Sequence, residues 1–350
     1  MPLHPARRAL IAATAAAAAL SALPAAAADT VLNLYSARHY QTDETLYSDF
    51  TRRTGIRINR IEAGDEALLE RLRSEGANTP ADVLLLVDAA RLWRAQVDGM
   101  FQPVRSQALE ARIPAHLRGK DDGKGAEWFA FSTRARVIVY NKATVKPDQV
   151  SSYEDLAAAA LKGKVCTRSG THPYMLSLIG AMSEHLGEVK AETWARGVVA
   201  NFARSPRGGD TDQIKAVATG ECGVALTNTY YLVRMMRSDA EADKDAVSKI
   251  GMIWPNQQTW GTHVNVSGGG VMRNAPNRAA AVRFLEYLAS DSAQAYLADG
   301  NNEWPVVATA PTSNPMLASL GKFKADTLPI ASVGRAQVTA AKIIDRVGWR

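Results

Sequence analysis

The chain of 350 residues is short of most things that announce a catalytic or membrane protein. It has two cysteines, Cys166 and Cys222, and neither follows the N-terminal apolar run, where a lipid anchor would need one. Beyond that run no stretch of about 18 apolar residues occurs, which excludes a spanning helix and with it stable membrane insertion. Of six histidines, His4 is N-terminal and the others are scattered, so no ligand-spaced pair supports a zinc site of the usual kind. There is no Gly-x-Ser-x-Gly elbow, His-Glu-x-x-His, phosphate-cradling Gly-x-x-x-x-Gly-Lys, or Gly-x-Gly-x-x-Gly after the first strand. An enzyme is therefore not expected. The glycine runs Gly208-Gly209 and Gly268-Gly269-Gly270 are read as turns. No repeat of fixed period and no low-complexity tract other than the N-terminal alanines is present.

What is present begins with residues 1–28, which read as a secretory signal: Arg7 and Arg8, then an Ala-rich apolar run, then Ala26-Ala27-Ala28 before Asp29. The Arg7-Arg8 pair is compatible with the twin-arginine route, and the route stays open. Removing the segment takes two arginines from 41 basic residues and none of the 35 acidic ones, so the formal charge falls from +6 to +4. Basic residues gather modestly at Arg52-Arg53, Arg91 to Arg94 and Arg134 to Arg136, but acidic ones interleave and no aromatic stacking pattern accompanies them. Nucleic acid is not an expected partner. In an oxidising compartment Cys166 and Cys222 would form one disulfide; two buried free thiols are the competing reading.

Hydrophobic residues at 47% and charged residues at 22% describe a packed globular protein, and the length exceeds what one core usually supports. Strand-like runs of four to seven residues alternate with amphipathic helical stretches, the pattern of an α/β fold. Strands are expected at 31–35, 56–61 and 82–87, with helices at 43–55 and 67–75. The nearly all-apolar 82–87 is read as a parallel strand buried on both faces. A second αβ set follows at 165–167, 174–186, 214–219 and 224–227. Extended segments at 129–141 and 250–271 bracket that set, as two crossings between two lobes would.

The tyrosines are placed unusually. His39-Tyr40 follows the first strand, Tyr174 stands where a strand and turn enter a helix, and Tyr230-Tyr231 follows the strand 224–227. In open α/β sheets ligands sit beyond the carboxyl ends of the strands. Any one tyrosine reads as an ordinary half-buried aromatic; together they suggest a hard trivalent cation. A phenol titrates near 10, so it ligates at neutral pH only when a strongly charged metal displaces its proton, and Fe(III) does this. Four phenolates on Fe(III) leave a net charge of −1, for which Arg38, Arg168 or Arg234 could supply the counter-charge.

These residues carry a resemblance. Leu34-Tyr35-Ser36-Ala37-Arg38-His39-Tyr40, Ser169-Gly170-Thr171-His172-Pro173-Tyr174, Asn228-Thr229-Tyr230-Tyr231 and Pro255-Asn256-Gln257 through Gly261-Thr262-His263-Val264-Asn265 are similar to segments of periplasmic ferric-iron-binding proteins of ABC transporters. So is the ending from Ala325-Asp326-Thr327-Leu328 to Gly348-Trp349. The resemblance implies a two-lobed type II periplasmic binding protein fold with two hinge crossings. Residues 29–130 and 262–310 would form the first lobe, 131–261 and 311–350 the second. It implies a periplasmic monomer that carries Fe(III) to an ABC permease, with His39, Tyr40, Tyr174, Tyr230 and Tyr231 as metal ligands. Tyr174 matches the tyrosine-rich subgroup, whereas members that recruit an anion use Ser-Gly-x and Asn. Arg168, Ser169, Gly170 and Asn228 are present as well, so a synergistic anion such as carbonate stays open. A carboxylate ligand has no assigned counterpart among Glu62, Asp65 and Glu66. The alternative function is binding of an anion such as phosphate or sulfate, with Ser169, Gly170, Thr171 and Asn228 as donors.

Overall fold

A computed structural model of the chain describes residues 31–38 and 43–350; the N-terminal signal reading, His39 and Tyr40 lie outside the described residues. Among the described residues nine strands form one continuous sheet system, flanked chiefly by two hydrophobic cores. They are β1 (Val31–Ser36), β2 (Arg57–Glu62), β3 (Val83–Leu86), β4 (Phe129–Asn141), β5 (Val165–Cys166), β6 (Val224–Asn228), β7 (Ile250–Ile253), β8 (Val264–Val271) and β9 (Trp304–Pro305).

In the first core β1 pairs in parallel with β2 on one side and β3 on the other, through crossover helices Asp43–Thr54 and Asp65–Glu75. The helix Asp43–Thr54 turns Leu46, Tyr47 and Phe50 inward at helical spacing, and Phe50 meets the edge of Phe284 at 5.1 Å between centroids. Each such side chain stabilises by roughly 1.5–3 kcal/mol when fully buried. All four residues of β3 are buried, yet β3 is parallel only to β1; its other neighbour, β8, runs antiparallel.

That pairing corrects the reading of Gly268-Gly269-Gly270 as a turn: the run lies inside β8. A Cβ on Gly269 would stand 2.3 Å from the Leu84 carbonyl oxygen, and one on Gly270 the same distance from that of Glu127. Backbone crowding on both sides demands glycine here, as it does wherever another chain segment approaches a strand closely.

β4 is the longest strand and belongs to both halves. Phe129 to Ala135 pair antiparallel with β8, and Arg136 to Tyr140 pair antiparallel with β6. The chain returns through β7, the turn at 254–261 and β8, giving the second crossing. A third spanning element was not expected. The terminal helix Ile330–Val347 sets Ile330 and Val333 in the first core and Ala340, Ile343 and Ile344 in the second. Its Gly334 lies against the Ala89 carbonyl and Trp93, where a Cβ would come within 2.5 Å of Trp93.

In the second half β5 is an edge strand of two residues, paired in parallel with β6. Cys166 ends β5 and is disulfide-bonded to Cys222, 5.8 Å away between Cα atoms, just ahead of β6. Among the described residues no helix is long and apolar enough to cross a membrane.

Candidate functional site

Two strand ends deliver the described tyrosines to one place. β6, buried throughout, runs directly into the helix Thr229–Met236, whose first turn carries Tyr230 and Tyr231. β5 leads through 167–172 into the helix Pro173–Leu186. That helix starts where it does because His172 Nδ1 accepts from the Tyr174 backbone N–H at 3.2 Å and Pro173 fills the first helical position, where no donor is needed. The result brings the Tyr174 and Tyr230 hydroxyls to 3.1 Å, with the Tyr230 and Tyr231 rings 4.2 Å apart between centroids.

Three guanidinium groups face these rings. Arg134 and Arg168 stand 5.3 and 5.2 Å from the Tyr174 centroid, and Arg234 stands 5.0 Å from that of Tyr231. Burial pushes the Tyr174 phenol up to about 12, against the pull of Arg134; the nearby Tyr231 raises it further and the bond to Tyr230 lowers it. Tyr174 is thus a neutral phenol at neutral pH, and a cation that ligates it must be strong enough to replace its proton. His172 is driven down to about 3 by burial and by the charges of Arg168 and Arg136, so its ring is neutral. Among the described residues no cluster of three or more His, Cys, Asp or Glu could hold a metal.

Beneath the tyrosines lies Asp210, fully buried, at the start of the helix Asp210–Thr219. Its carboxylate accepts from Arg136 at 2.6 Å, Arg168 at 3.3 Å and the Asn228 backbone N–H at 2.7 Å. One carboxylate therefore anchors both the loop before Tyr174 and the strand end before Tyr230. Asn228 Oδ1 accepts from Arg136 at 3.2 Å, while its buried Nδ2 has no hydrogen-bond partner.

The remaining candidates are placed as follows. Ser169 Oγ is 2.9 Å from Thr171 Oγ1, so the two hydroxyls bond each other. Gly170 is packed on Trp349, where a Cβ would lie 2.5 Å from the Trp349 carbonyl oxygen. Asp65 Oδ1 accepts from the Val87 N–H at 3.2 Å, Glu66 pairs with Arg91, and Glu62 lies 3.3 Å from Arg60. Arg38 is paired with Asp43 at 3.0 Å and Glu303 at 3.2 Å, so its charge is already matched by two carboxylates. Arg134, Asp210 and His172 escaped the sequence reading as site residues. Their signal was visible in one case: Arg134 and Arg136 share a face of a largely apolar strand, and both are 2% exposed. A buried arginine on a strand calls for a charged partner or a ligand.

Residues 45–325 match the family described as bacterial extracellular solute-binding protein. The chain is 50% identical to Iron uptake protein A1 of Synechocystis sp. over 91% of its length and 87% of that protein's. A solved structure of Trichodesmium IdiA (FutA) in complex with iron and citrate ligands is 51% identical, with a TM-score of 0.87, covering 91% of this chain and all of that one. The ferric binding protein from Campylobacter jejuni is 40% identical with a TM-score of 0.84, again over 91% of this chain. The relatives are transport proteins rather than enzymes, and the fold they share is the two-lobed α/β fold of ferric-binding proteins. On its sequence match, its architecture and the fold of its neighbours, this chain belongs to the bacterial extracellular solute-binding protein family.

Proposed function

We propose that this protein captures Fe(III) outside the cytoplasm, in the periplasm, and passes it to the permease of an ABC transporter. Tyr174, Tyr230 and Tyr231 ligate the metal from the second half, and His39 and Tyr40 from the first. The observation that carries the reading is the Tyr174 and Tyr230 hydroxyl pair at 3.1 Å, with Tyr231 beside it and three arginines over the rings. The names of the relatives, which bind ferric iron or serve iron uptake, support it.

The chemistry follows from charge. Phenolates are hard oxygen donors, and Fe(III) replaces their protons where a softer or less charged ion would not. With four phenolates the centre carries −1, and Arg134, Arg168 and Arg234 stand close enough to offset it. Metal bonds supplied from both halves cannot all form while the halves are apart, so the metal favours the closed arrangement.

Adding ferric citrate to the purified protein should give a visible phenolate-to-iron charge-transfer band and one bound iron per chain. Replacing Tyr230 and Tyr231 together with Phe should abolish the band and leave the far-UV circular dichroism unchanged. A protein that stays colourless and retains no iron overturns the proposal.

One observation favours a co-bound anion such as carbonate: the buried Asn228 Nδ2 donor has no partner in the protein. An anionic oxygen at that amide would satisfy it. The alternative of a plain phosphate or sulfate carrier would show as fluorescence titration by those anions in metal-free buffer.

A further inference from the structure

Glu303 lies 265 residues from Arg38 in sequence, yet it stands between Arg38, which precedes His39 in the chain, and Arg134, which lies over Tyr174. Its placement starts locally. The helix Asp291–Asn301 ends at Asn302, whose φ of +58° is one that Asn tolerates better than most residues. The chain there turns into β9, where Trp304 pairs with Thr133 and Pro305 with Ser132 of β4. Glu303 is thereby laid alongside the β4 face that presents Ser132 and Arg134, and it is 1% exposed.

Its carboxylate is divided between two sides. Oε2 accepts from Ser132 Oγ at 2.7 Å and from Arg38 Nη1 at 3.2 Å. Oε1 faces Arg134 Nη1 at 3.8 Å. Arg38 also makes a two-pronged pair with Asp43, Nε to Oδ2 at 3.0 Å and Nη2 to Oδ1 at 3.3 Å, and Asn301 Nδ2 donates to Asp43 Oδ1 at 2.8 Å. Arg38 and Asp43 are the residues that bracket His39 and Tyr40 in the chain. Arg134 in turn is held by Ser267 Oγ at 3.2 Å and by the Val87 carbonyl, and its guanidinium lies over Tyr174. Two positive and two negative side chains, all buried, thus run from Arg38 and Asp43 to the ring of Tyr174.

We propose that Glu303 is a positioning residue for the iron site: hydrogen-bonded to Arg38 and facing Arg134 with the charge of its other oxygen, it sets the guanidinium that lies over Tyr174 relative to Arg38. The proposal rests on the phenolate–iron reading above. Partners one step removed from a metal orient its ligands, and losing one typically weakens affinity roughly 10–100-fold. Glu303→Ala removes the bridge altogether. Glu303→Gln keeps the shape and an acceptor for Ser132 and Arg38 but withdraws the charge shared with Arg134.

The test loads each variant with ferric citrate, records the visible band and measures iron retention against added citrate. Glu303→Ala should lose iron about 10–100-fold more readily and show a displaced band maximum, while Glu303→Gln should recover part of the affinity but not the band position. If Glu303→Ala fails to fold, Glu303→Gln decides alone: a displaced band upholds the proposal. Folded variants with the band and retention of the unmodified protein overturn it. An unmodified protein that binds no iron overturns instead the function on which it rests.

Discussion

His263 is the residue whose chemistry is least expected from its surroundings. Its ring is buried, neither nitrogen has a hydrogen-bond partner, and it sits at the crossing where β8 begins. Burial, with the charges of Arg136, His185 and Arg134, drives it down to about 3. The unfolded chain would protonate it near 6.5, so between about 6.5 and 3 the unfolded state binds a proton that the folded state refuses. Its contribution is complete above pH 6.5 and declines by about 1.4 kcal/mol for each pH unit below. Replacing His263 with Phe should therefore flatten the fall of Tm between pH 7 and pH 4. Parallel Tm profiles for the two proteins would refute the assignment. At this scale the sequence was a partial guide. The tyrosines could be singled out because their position after strands is local information. Glu303 and Asp210 could not, because what they do depends on arginines up to 265 residues away.

Among the strands, β5 shares with β9 the shortest ladder, two residues long. Two residues of ladder and an edge position leave it dependent on other ties, and the disulfide to Cys222 supplies one across a separation of 56 residues. The bond joins the strand that leads to Tyr174 with the turn that leads to Tyr230. In the chain-entropy account, cross-linking a loop of that length stabilises by about 4 kcal/mol. The double variant Cys166→Ala, Cys222→Ala should lose about that much in urea unfolding. If the midpoint does not move, the bond is not a stabilising tie. Strand and helix boundaries were largely legible, since 129–141 coincides with β4 and 43–55 with the helix Asp43–Thr54 within a residue. The Gly268 to Gly270 segment was not. Glycine weakens a strand in isolation, and only the closeness of β3 and the 127–129 backbone makes it the residue required.

The whole molecule turns on how the halves are joined. β4 and β8 cross between them, and the terminal helix lies along both. Beside β8 and the terminal helix a buried polar cluster takes Asp88 from the first half, Ser177 from the second, Asn265 from β8 and Gln337 from the helix. Asp88 Oδ2 accepts from Ser177 Oγ at 3.0 Å and Asn265 Nδ2 at 2.8 Å, and Asp88 Oδ1 accepts from Gln337 Nε2 at 3.1 Å. Directional bonds of this kind define a pivot better than apolar contacts, which slide. In the proposed site Tyr174, Tyr230 and Tyr231 all come from one half and would bind iron without drawing the halves together, so the proposed ligands His39 and Tyr40 would be the ones that convert binding into closure. The mature chain should therefore have a radius of gyration near 20 Å that falls when Fe(III) is added, measured by small-angle scattering. Tyr40→Phe with His39→Ala should still show a phenolate band, from the second-half tyrosines, but no contraction. Contraction that survives the loss of both residues would place the driving contacts elsewhere in the cleft, and the pivot would then be moved by something other than the metal.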